Sequence, residues 1–527
     1  MRIREILPIR GPSVFPCRTL ATVPGTHYRV VIIGTGFAGV GMAIALRRAG
    51  IHDFVVLERA ETVGGVWRDN VYPGCQCDIP SHLYSYSFAP KADWTRSYPL
   101  REEIWRYLED CTDQFDIRRS IRFNTTVTAA HWDEDFRRWR IETPDGEWTA
   151  DALVAGVGAL SEPSLPDIPG IESFEGPMFH SATWRHDVDL GGRNAAVVGT
   201  GSSAIQFVPR IQPLVKRLVV FQRTPPWVVP QMDAAIGPEW QQRYARHPWM
   251  QRLVRLWQYW SREVTVSGWT RMSFLRHLAR RMATKHLEKQ VPDPELRRRL
   301  TPPYEIGCKR ILLSDAWYPA IQQPNVELVE TGVSEIRPGA VVGADGVERE
   351  VDAIIFGTGF RVTTHPGFDH IVGRNGVNLG DHWREKGMEA YLGTTVAGFP
   401  NLFLMTGPNT GLGHSSIVFV LESQFAYVLG ALRAMEERRV AAFDPKPAVQ
   451  TAYNAEIQRR ITKSVWNSGG CSSWYLDARG RNPTLWPGST VEFRLRLRKF
   501  DADAYESIER RQVTADSPSA VAAAAGD

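Results

Sequence analysis

Short runs of consecutive apolar residues punctuate this chain, and glycine follows most of them. Val30-Val31-Ile32-Ile33, Ala195-Ala196-Val197-Val198, Ala152-Leu153-Val154-Ala155 and Ala353-Ile354-Ile355-Phe356 read as strands buried on both faces, the pattern of a parallel sheet. Helical spacing follows the first two, over Val40 to Arg48 and Ile205 to Ile211. A further strand is predicted at Phe54 to Glu58, a helix at Arg101 to Phe115, and strands around Ile121 to Val127 and Trp139 to Glu142. Strand and helix thus alternate, which predicts an α/β fold. The stretch Thr62 to Leu100 is irregular and dense in aromatics and glycine. The run at 351–359 nearly repeats that at 151–156, so it is expected to carry the chain back into the first sheet. From Pro238 to Arg299 the pattern is helical. Leu253, Leu256, Trp257 and Trp260 recur at i, i+3, i+4 and i+7, an apolar stripe expected to face the core. Docking on anionic lipid, or lining an apolar channel, is the second reading of that stripe.

Two of the strands run into glycine loops. The first is Gly34-Thr35-Gly36-Phe37-Ala38-Gly39, with Glu58 nineteen positions after its last glycine. The second is Gly199-Thr200-Gly201-Ser202-Ser203-Ala204, with Arg223 nineteen positions after Ala204. In such a loop the first glycine makes the turn, and the second lets a pyrophosphate approach the backbone. The third small residue lets helix and strand pack closely, with the phosphates at the helix N-terminus. A carboxylate in the first unit suits a ribose with free hydroxyls; a guanidinium in the second suits a ribose carrying a phosphate. FAD and NADPH are the simplest pair satisfying both.

These signals predict two Rossmann-like dinucleotide-binding domains, the NADPH domain inserted within a discontinuous FAD domain, plus a helical insert. Residues 1–27 are an N-terminal extension, with a targeting presequence as the second reading. The FAD domain occupies 28–165 and, with the C-terminal region, 351–512. The NADPH domain occupies 166–237 and 301–350, the helical insert 238–300, and a disordered tail 513–527.

Composition narrows the class further. The 527 residues are 43% hydrophobic and 23% charged, ordinary for a globular protein of two or three domains. No run of eighteen apolar residues indicates a membrane span. The net charge of +4 conceals a local +9 between Pro238 and Arg299, but no nucleic-acid-binding motif accompanies it. Six unevenly spaced cysteines point to a reducing, cytoplasmic setting rather than a disulfide framework. Cys75 and Cys77, one residue apart, are too close for an unstrained redox pair, and no His/Cys cluster suggests a metal site.

Two longer patterns carry a family resemblance. Phe174, Gly176, His180 and Trp184 fit F-x-G-x-x-x-H-x-x-x-W, although Arg185 stands where Pro or Asp is usual. Gly64, Gly65, Trp67, Tyr72, Pro73, Gly74 and Asp78 fit G-G-x-W-x-x-x-x-Y-P-G-x-x-x-D in full. The chain from Tyr28 to about Phe500 resembles the type I Baeyer–Villiger monooxygenases. That resemblance implies FAD, NADPH, O2 and a small-molecule ketone. The oxidant is a C4a-peroxyflavin, and one oxygen enters beside the carbonyl to give an ester or lactone. Apolar ketones, and sulfides as secondary substrates, are expected; heteroatom oxygenation is the alternative activity. A peroxide-leaking oxidase or a nucleotide sensor is a weaker rival, the latter because Asp78, Lys309 and Arg310 are all present. A monomer or homodimer is expected.

By the same resemblance Arg310 is the catalytic cation, and Asp78 orients it. A guanidinium keeps its charge at any working pH and offers directed donors to developing anionic oxygen. Lys309 and Arg223, with Thr224 beside them, are expected to clamp the 2′-phosphate of NADPH. Trp67, Tyr84 and Val127 are expected at the flavin; for Tyr84 a plain core role stands beside this. Trp474 is either a loop residue folding over the nicotinamide ribose or a core tryptophan. His180 is read as a linker residue with a conformational role rather than a proton shuttle.

Overall fold

Val30, Val31 and Ile32 are fully buried, as a strand covered on both faces requires. In this computed structural model, which describes residues 27–511 apart from Arg271, they lie in the strand His27–Ile33 near the centre of an eight-stranded sheet. The readings of an N-terminal extension and a C-terminal tail fall outside the described residues. His27–Ile33 pairs in parallel with Phe54–Leu57 on one side and Gly146–Ala155 on the other. Ala129–Asp133, Arg138–Thr143 and Gly146–Ala155 form an antiparallel meander leading into the last of these. The chain then leaves for a second sheet and returns with Ile371–Val372 and Leu402–Leu404, the latter parallel to Gly146–Ala155.

The second sheet has five strands, all parallel, in the order Val326–Val329, Arg217–Phe221, Asn194–Val198, Ala353–Phe356, Met178–His180. The fold is therefore two Rossmann-like units, the second inserted in the first, with a helical insert. The helices Pro238–Arg246, Pro248–Thr270, Ser273–Gln290 and Pro294–Leu300 form that insert.

The structure corrects four expectations. Ala353–Phe356 does not return to the first sheet; it pairs with Asn194–Val198 and Met178–His180. The repeat has a physical basis. Gly156, after the earlier run, seats against Gly34, and Gly357, after the later one, seats against Gly199; the two runs do the same job in different sheets. Second, only Ile121–Arg122 of the predicted 121–127 strand forms. Asn124 has φ +54°, and the Asn124 and Thr125 N–H groups donate to the Ala60 and Glu58 carbonyls instead of continuing a ladder. Third, the stripe of Leu253, Leu256, Trp257 and Trp260 faces solvent, each residue at least half exposed. The buried face of that helix carries Gln251, Tyr259, Glu263, Val266 and Trp269, where polar groups find partners that a pattern of apolar spacing does not reveal.

Fourth, Cys308 and Cys471 are joined in a disulfide across 163 positions of sequence. The Glu305 N–H donating to the Gly469 carbonyl (3.0 Å) lays the two segments side by side. Cys75, Cys77 and Cys111 are free and buried. Reducing the disulfide, or replacing both cysteines with serine, is expected to cost about 2–4 kcal/mol of stability. The check is thermal melting with and without dithiothreitol. The reductant should lower the wild-type midpoint and leave that of the double variant unmoved; equal midpoints for reduced and oxidised wild type would refute the contribution.

One helix, Ile417–Arg438, is long and apolar enough to cross a membrane by length and composition. Val418, Leu421, Phe425, Val428 and Leu432 are buried in the main core, so its apolar character serves packing.

Candidate active site

Both glycine loops are built as cradles. Gly34 and Gly199 have φ of +91° and +104°, and a Cβ on either would meet the Gly156 or Gly357 carbonyl oxygen at 2.7 and 2.6 Å. At the second glycine of each loop the surroundings are open. A Cβ on Gly36 would meet only Gly65 Cα at 3.8 Å, and one on Gly201 only the Gly357 oxygen at 3.9 Å. The protein thus leaves room where a pyrophosphate approaches, which fits the dinucleotides. Gly39 serves packing: its Cβ would lie 1.8 Å from the Gly34 oxygen. Gly39→Ala is therefore expected to yield protein purified without flavin, read from the ratio of 450 to 280 nm absorbance. A full flavin complement in that variant would remove the loop from the flavin site.

Glu58 directly follows the strand Phe54–Leu57 and is 4% exposed. Its carboxylate accepts from the Thr35 N–H (2.9 Å) and hydroxyl (2.6 Å), the Ala60 N–H (2.9 Å) and Arg68 Nη1 (3.2 Å). The acid is thereby fixed to the loop that it serves. Phe37, Trp67 and Tyr84 cluster beside Ala38. The Phe37 and Tyr84 rings meet edge-on at 5.0 Å, and Trp67 Nε1 donates to the Tyr84 hydroxyl at 3.1 Å. Burial pushes the Tyr84 phenol far above its ordinary value, so it stays neutral. Val127 lies apart, against the core around Trp132 and Trp139.

In the second unit, Thr200 is buried, while Ser202 is exposed and Ser203 half-buried ahead of the helix Ala204–Ile211. Arg223, two residues past the strand Arg217–Phe221, is exposed, with Thr224 half-buried beside it. Lys309 stands close enough for their charges to interact. Burial and the Arg223 charge both push the Lys309 ammonium below its ordinary value. Two cations held near each other with no carboxylate partner among the described residues suit a polyanion. The Lys309 ammonium also lies 5.1 Å from the Tyr304 ring centre.

Asp78 and Arg310 form a fork-on-fork pair, Nε to Oδ2 at 2.5 Å and Nη2 to Oδ1 at 2.7 Å, each side chain 29% exposed. The pair joins the aromatic stretch of the first unit to the second. Arg310 Nη1 also donates to the Leu412 carbonyl at 3.3 Å, which ties in the C-terminal region. Burial alone would raise the Asp78 carboxyl; Arg310, and Arg262 more weakly, outweigh it and hold the carboxyl below its usual range. Asp78 in turn raises the Arg310 guanidinium against the opposing effect of burial. Both stay charged at any working pH.

Several residues around this pair have no signal in the sequence. Tyr475 is 1% exposed, and burial pushes its phenol up to about 12 although the Arg310 charge pulls the other way. Its neighbour Trp474 is 47% exposed, so it is not a core tryptophan; its ring lies 4.5 Å from that of Tyr475. Arg262 arrives from the helical insert and donates to the Tyr98 hydroxyl at 3.3 Å. Glu263, one residue on, holds His414 Nε2 at 3.2 Å and accepts from the Thr490 N–H and hydroxyl at 2.9 and 2.7 Å. These partners are 151 and 227 positions away, beyond the reach of spacing.

The linker residues lie in the second unit. Phe174 is buried, and Gly176 is needed because a Cβ there would meet the Asp352 carbonyl at 2.5 Å. Trp184 packs on Phe179 and Phe207 at 5.2 Å. Arg185 pairs with Asp187 at the surface. His180 ends its strand in register with Phe356 and packs on Phe360, which bridges to Pro163. Both passages between the units therefore meet at Pro163 and Phe360, with His180 packed on the latter. His180 Nδ1 accepts from the Ala182 N–H at 3.1 Å, and burial pushes the imidazole down to about 4 from an ordinary 6.5. The unfolded chain thus binds a proton that the folded one refuses, so stability falls as pH drops from about 6.5 towards 4. The full loss is about 3 kcal/mol. Urea midpoints at pH 7 and 4.5 should converge for wild type and His180→Gln at acid pH; parallel pH dependence in the two would sink the assignment.

Residues 31–251 match a family described as pyridine nucleotide-disulphide oxidoreductase. The chain is 49% identical, over 92% of its length and 93% of the relative's, to a Baeyer-Villiger monooxygenase of Streptomyces coelicolor. To one of Pseudomonas aeruginosa it is 49% identical over 91% of each chain. Among solved structures it is similar to an oxidized steroid monooxygenase bound to NADP, at 31% identity and a TM-score of 0.79, covering 92% of this chain and 100% of that one. A closed cyclohexanone monooxygenase matches at 28% identity and 0.80, covering 92% and 99%.

Proposed function

The chain belongs to the Baeyer–Villiger monooxygenases, flavin enzymes that use NADPH, and from that premise we propose that it converts apolar ketones to esters or lactones around the Asp78–Arg310 pair. The balance is ketone, O2, NADPH and a proton giving ester, NADP+ and water. Bound FAD, reduced by NADPH, supplies the electron transfer and the activation of oxygen. The first glycine loop with Glu58 holds FAD, and Trp67 and Tyr84 line its site, from which Val127 lies apart. The second loop, from Gly199 to Ser203, holds NADPH, with Arg223, Thr224 and Lys309 on its 2′-phosphate. Trp474, exposed on its loop, covers the nicotinamide ribose. His180 and the linker around it transmit the relative position of the units.

The observation that carries this reading is the fork-on-fork pair spanning both units. Asp78 holds two guanidinium nitrogens and keeps the group protonated and fixed in orientation, while the remaining N–H donors stay available. Arg310 then presents a fixed charge to the carbonyl oxygen as it becomes anionic, without moving a proton. An arginine without Asp78 would have many rotamers and no fixed field.

Heteroatom oxygenation of sulfides is the second activity that the same site supports, since a sulfide needs no stabilised carbonyl anion. Product analysis after NADPH-dependent turnover in air separates the readings. The panel contains linear, cyclic, aryl and steroidal ketones, one sulfide and one tertiary amine. Esters or lactones from ketones are expected. S- or N-oxides alone, or hydrogen peroxide alone, would replace this reading with heteroatom oxygenation or oxidase activity.

A further inference from the structure

The helical insert carries a surface that the oxygenation chemistry does not use. On Pro248–Thr270, Trp249, Leu253, Trp257, Trp260 and Val264 form one stripe and are between 52% and 71% exposed. On the next helix, Ser273–Gln290, Phe274, Leu278 and Met282 continue it at 74%, 58% and 44%. The two stripes meet in a groove of about 990 Å³ between the helices, with Val264 and Leu278 both lining it and Arg281, Lys285 and Lys289 on its rim. Isolated exposed apolar residues need no explanation, but a continuous set of eight, with three tryptophans, does.

The charge around this face is predominantly positive, with Asp315 the one acid lining the groove. Between Pro248 and Gln290 there are nine Lys/Arg and two Asp/Glu. One of the two acids, Glu263, is buried against His414. Among the described residues, the carboxylate pairs of these helices are Arg280 with Glu305 and His414 with Glu263. Arg252, Arg281, Lys285 and Lys289 thus have no carboxylate partner. A second copy of this chain across a two-fold axis would bring basic rim against basic rim without countercharge. An anionic bilayer surface offers both requirements at one depth: an apolar layer for Trp, Leu and Phe, and phosphates for the flanking arginines and lysines.

We propose that the hairpin of Pro248–Thr270 and Ser273–Gln290 docks the enzyme on the surface of an anionic phospholipid bilayer. Its stripe enters the interface, and the Arg281, Lys285 and Lys289 rim lies on the headgroups. The attachment is peripheral, since each helix keeps a buried face against the protein.

Flotation of the full-length holoenzyme with vesicles tests this. Vesicles of phosphatidylcholine alone are compared with vesicles containing a quarter phosphatidylglycerol, at low and at physiological salt. Binding at least tenfold stronger to the anionic vesicles is expected, weakening with salt. Trp257→Ser with Trp260→Ser, and separately Lys285→Glu with Lys289→Glu, should each cut binding at least tenfold while NADPH turnover in solution stays at the wild-type level. These side chains are exposed, so folding is not at stake. Equal binding to both vesicle types, or none, would overturn the proposal. So would a dimer in light scattering that the tryptophan substitutions dissolve, which would assign the face to self-association.

Discussion

Arg310→Ala is expected to lower ester formation by roughly a hundred- to a thousandfold while flavin content and NADPH binding persist. Arg310 contacts neither glycine loop through any hydrogen bond of its own; its partners are Asp78 and the Leu412 carbonyl. Loss of the guanidinium removes the fixed charge opposite the developing oxyanion. It also leaves the Asp78 carboxylate half-buried and unpaired, which reverses the local field and raises the Asp78 pKa. Arg310→Lys should recover part of the activity, since a point charge replaces the charge but not the fork. Asp78→Asn should be milder than Arg310→Ala, because the cation survives and only its orientation loosens. The measurements are ester yield and NADPH consumption, taken together. Arg310→Ala should divorce the two, with NADPH oxidation continuing and its electrons going to hydrogen peroxide. Coupled product formation above a tenth of wild type in that variant would end the case for Arg310 as the catalytic cation.

The second large effect concerns coenzyme choice. Arg223→Ala and Lys309→Ala should each raise the KM for NADPH by about 10- to 100-fold, the worth of a charge-assisted contact to phosphate. The KM for NADH, which lacks the phosphate, should hardly change, and kcat should stay within a few-fold. The pH dependence has a definite sign. Lys309 loses its proton at a lower pH than an ordinary lysine, through burial and Arg223. Affinity for NADPH therefore falls as pH rises through that lowered value. In Arg223→Ala one of the two causes is gone, so the fall should move to higher pH. If both single variants lose NADPH and NADH equally, the two cations bind something other than the 2′-phosphate.

Much of the site is legible in sequence because its chemistry depends on local geometry. A dinucleotide loop needs its glycines at fixed offsets, and a strand of fixed length then places an acid or a base at its end. Gly34, Gly36, Gly39 and Glu58 sit within one turn and two adjacent strands, and so do Gly199, Gly201 and Arg223. The repeat of apolar run and glycine at 151–156 and 351–357 was legible too, but its meaning was not. Either sheet could accept such a strand, and only pairing partners decide between them. The exposed stripe failed for a related reason. Helical periodicity reports that one face is apolar; it does not report which face the rest of the protein covers. Here Gln251, Tyr259 and Glu263 take the covered side because distant groups such as His82 and Thr490 satisfy them.

By itself the sequence determined two dinucleotide units, their preference for one phosphorylated and one free ribose, and the family to which the chain is related. All of these rest on contacts within a few tens of residues. Family resemblance already paired Asp78 with Arg310; tertiary structure alone decided the two-bond fork by which they meet across 232 positions, that Cys308 meets Cys471, and that the basic tryptophan stripe is left to solvent. Ion pairs, disulfides and buried faces need two distant segments to coincide in space, and no periodicity along one segment records where the other will lie.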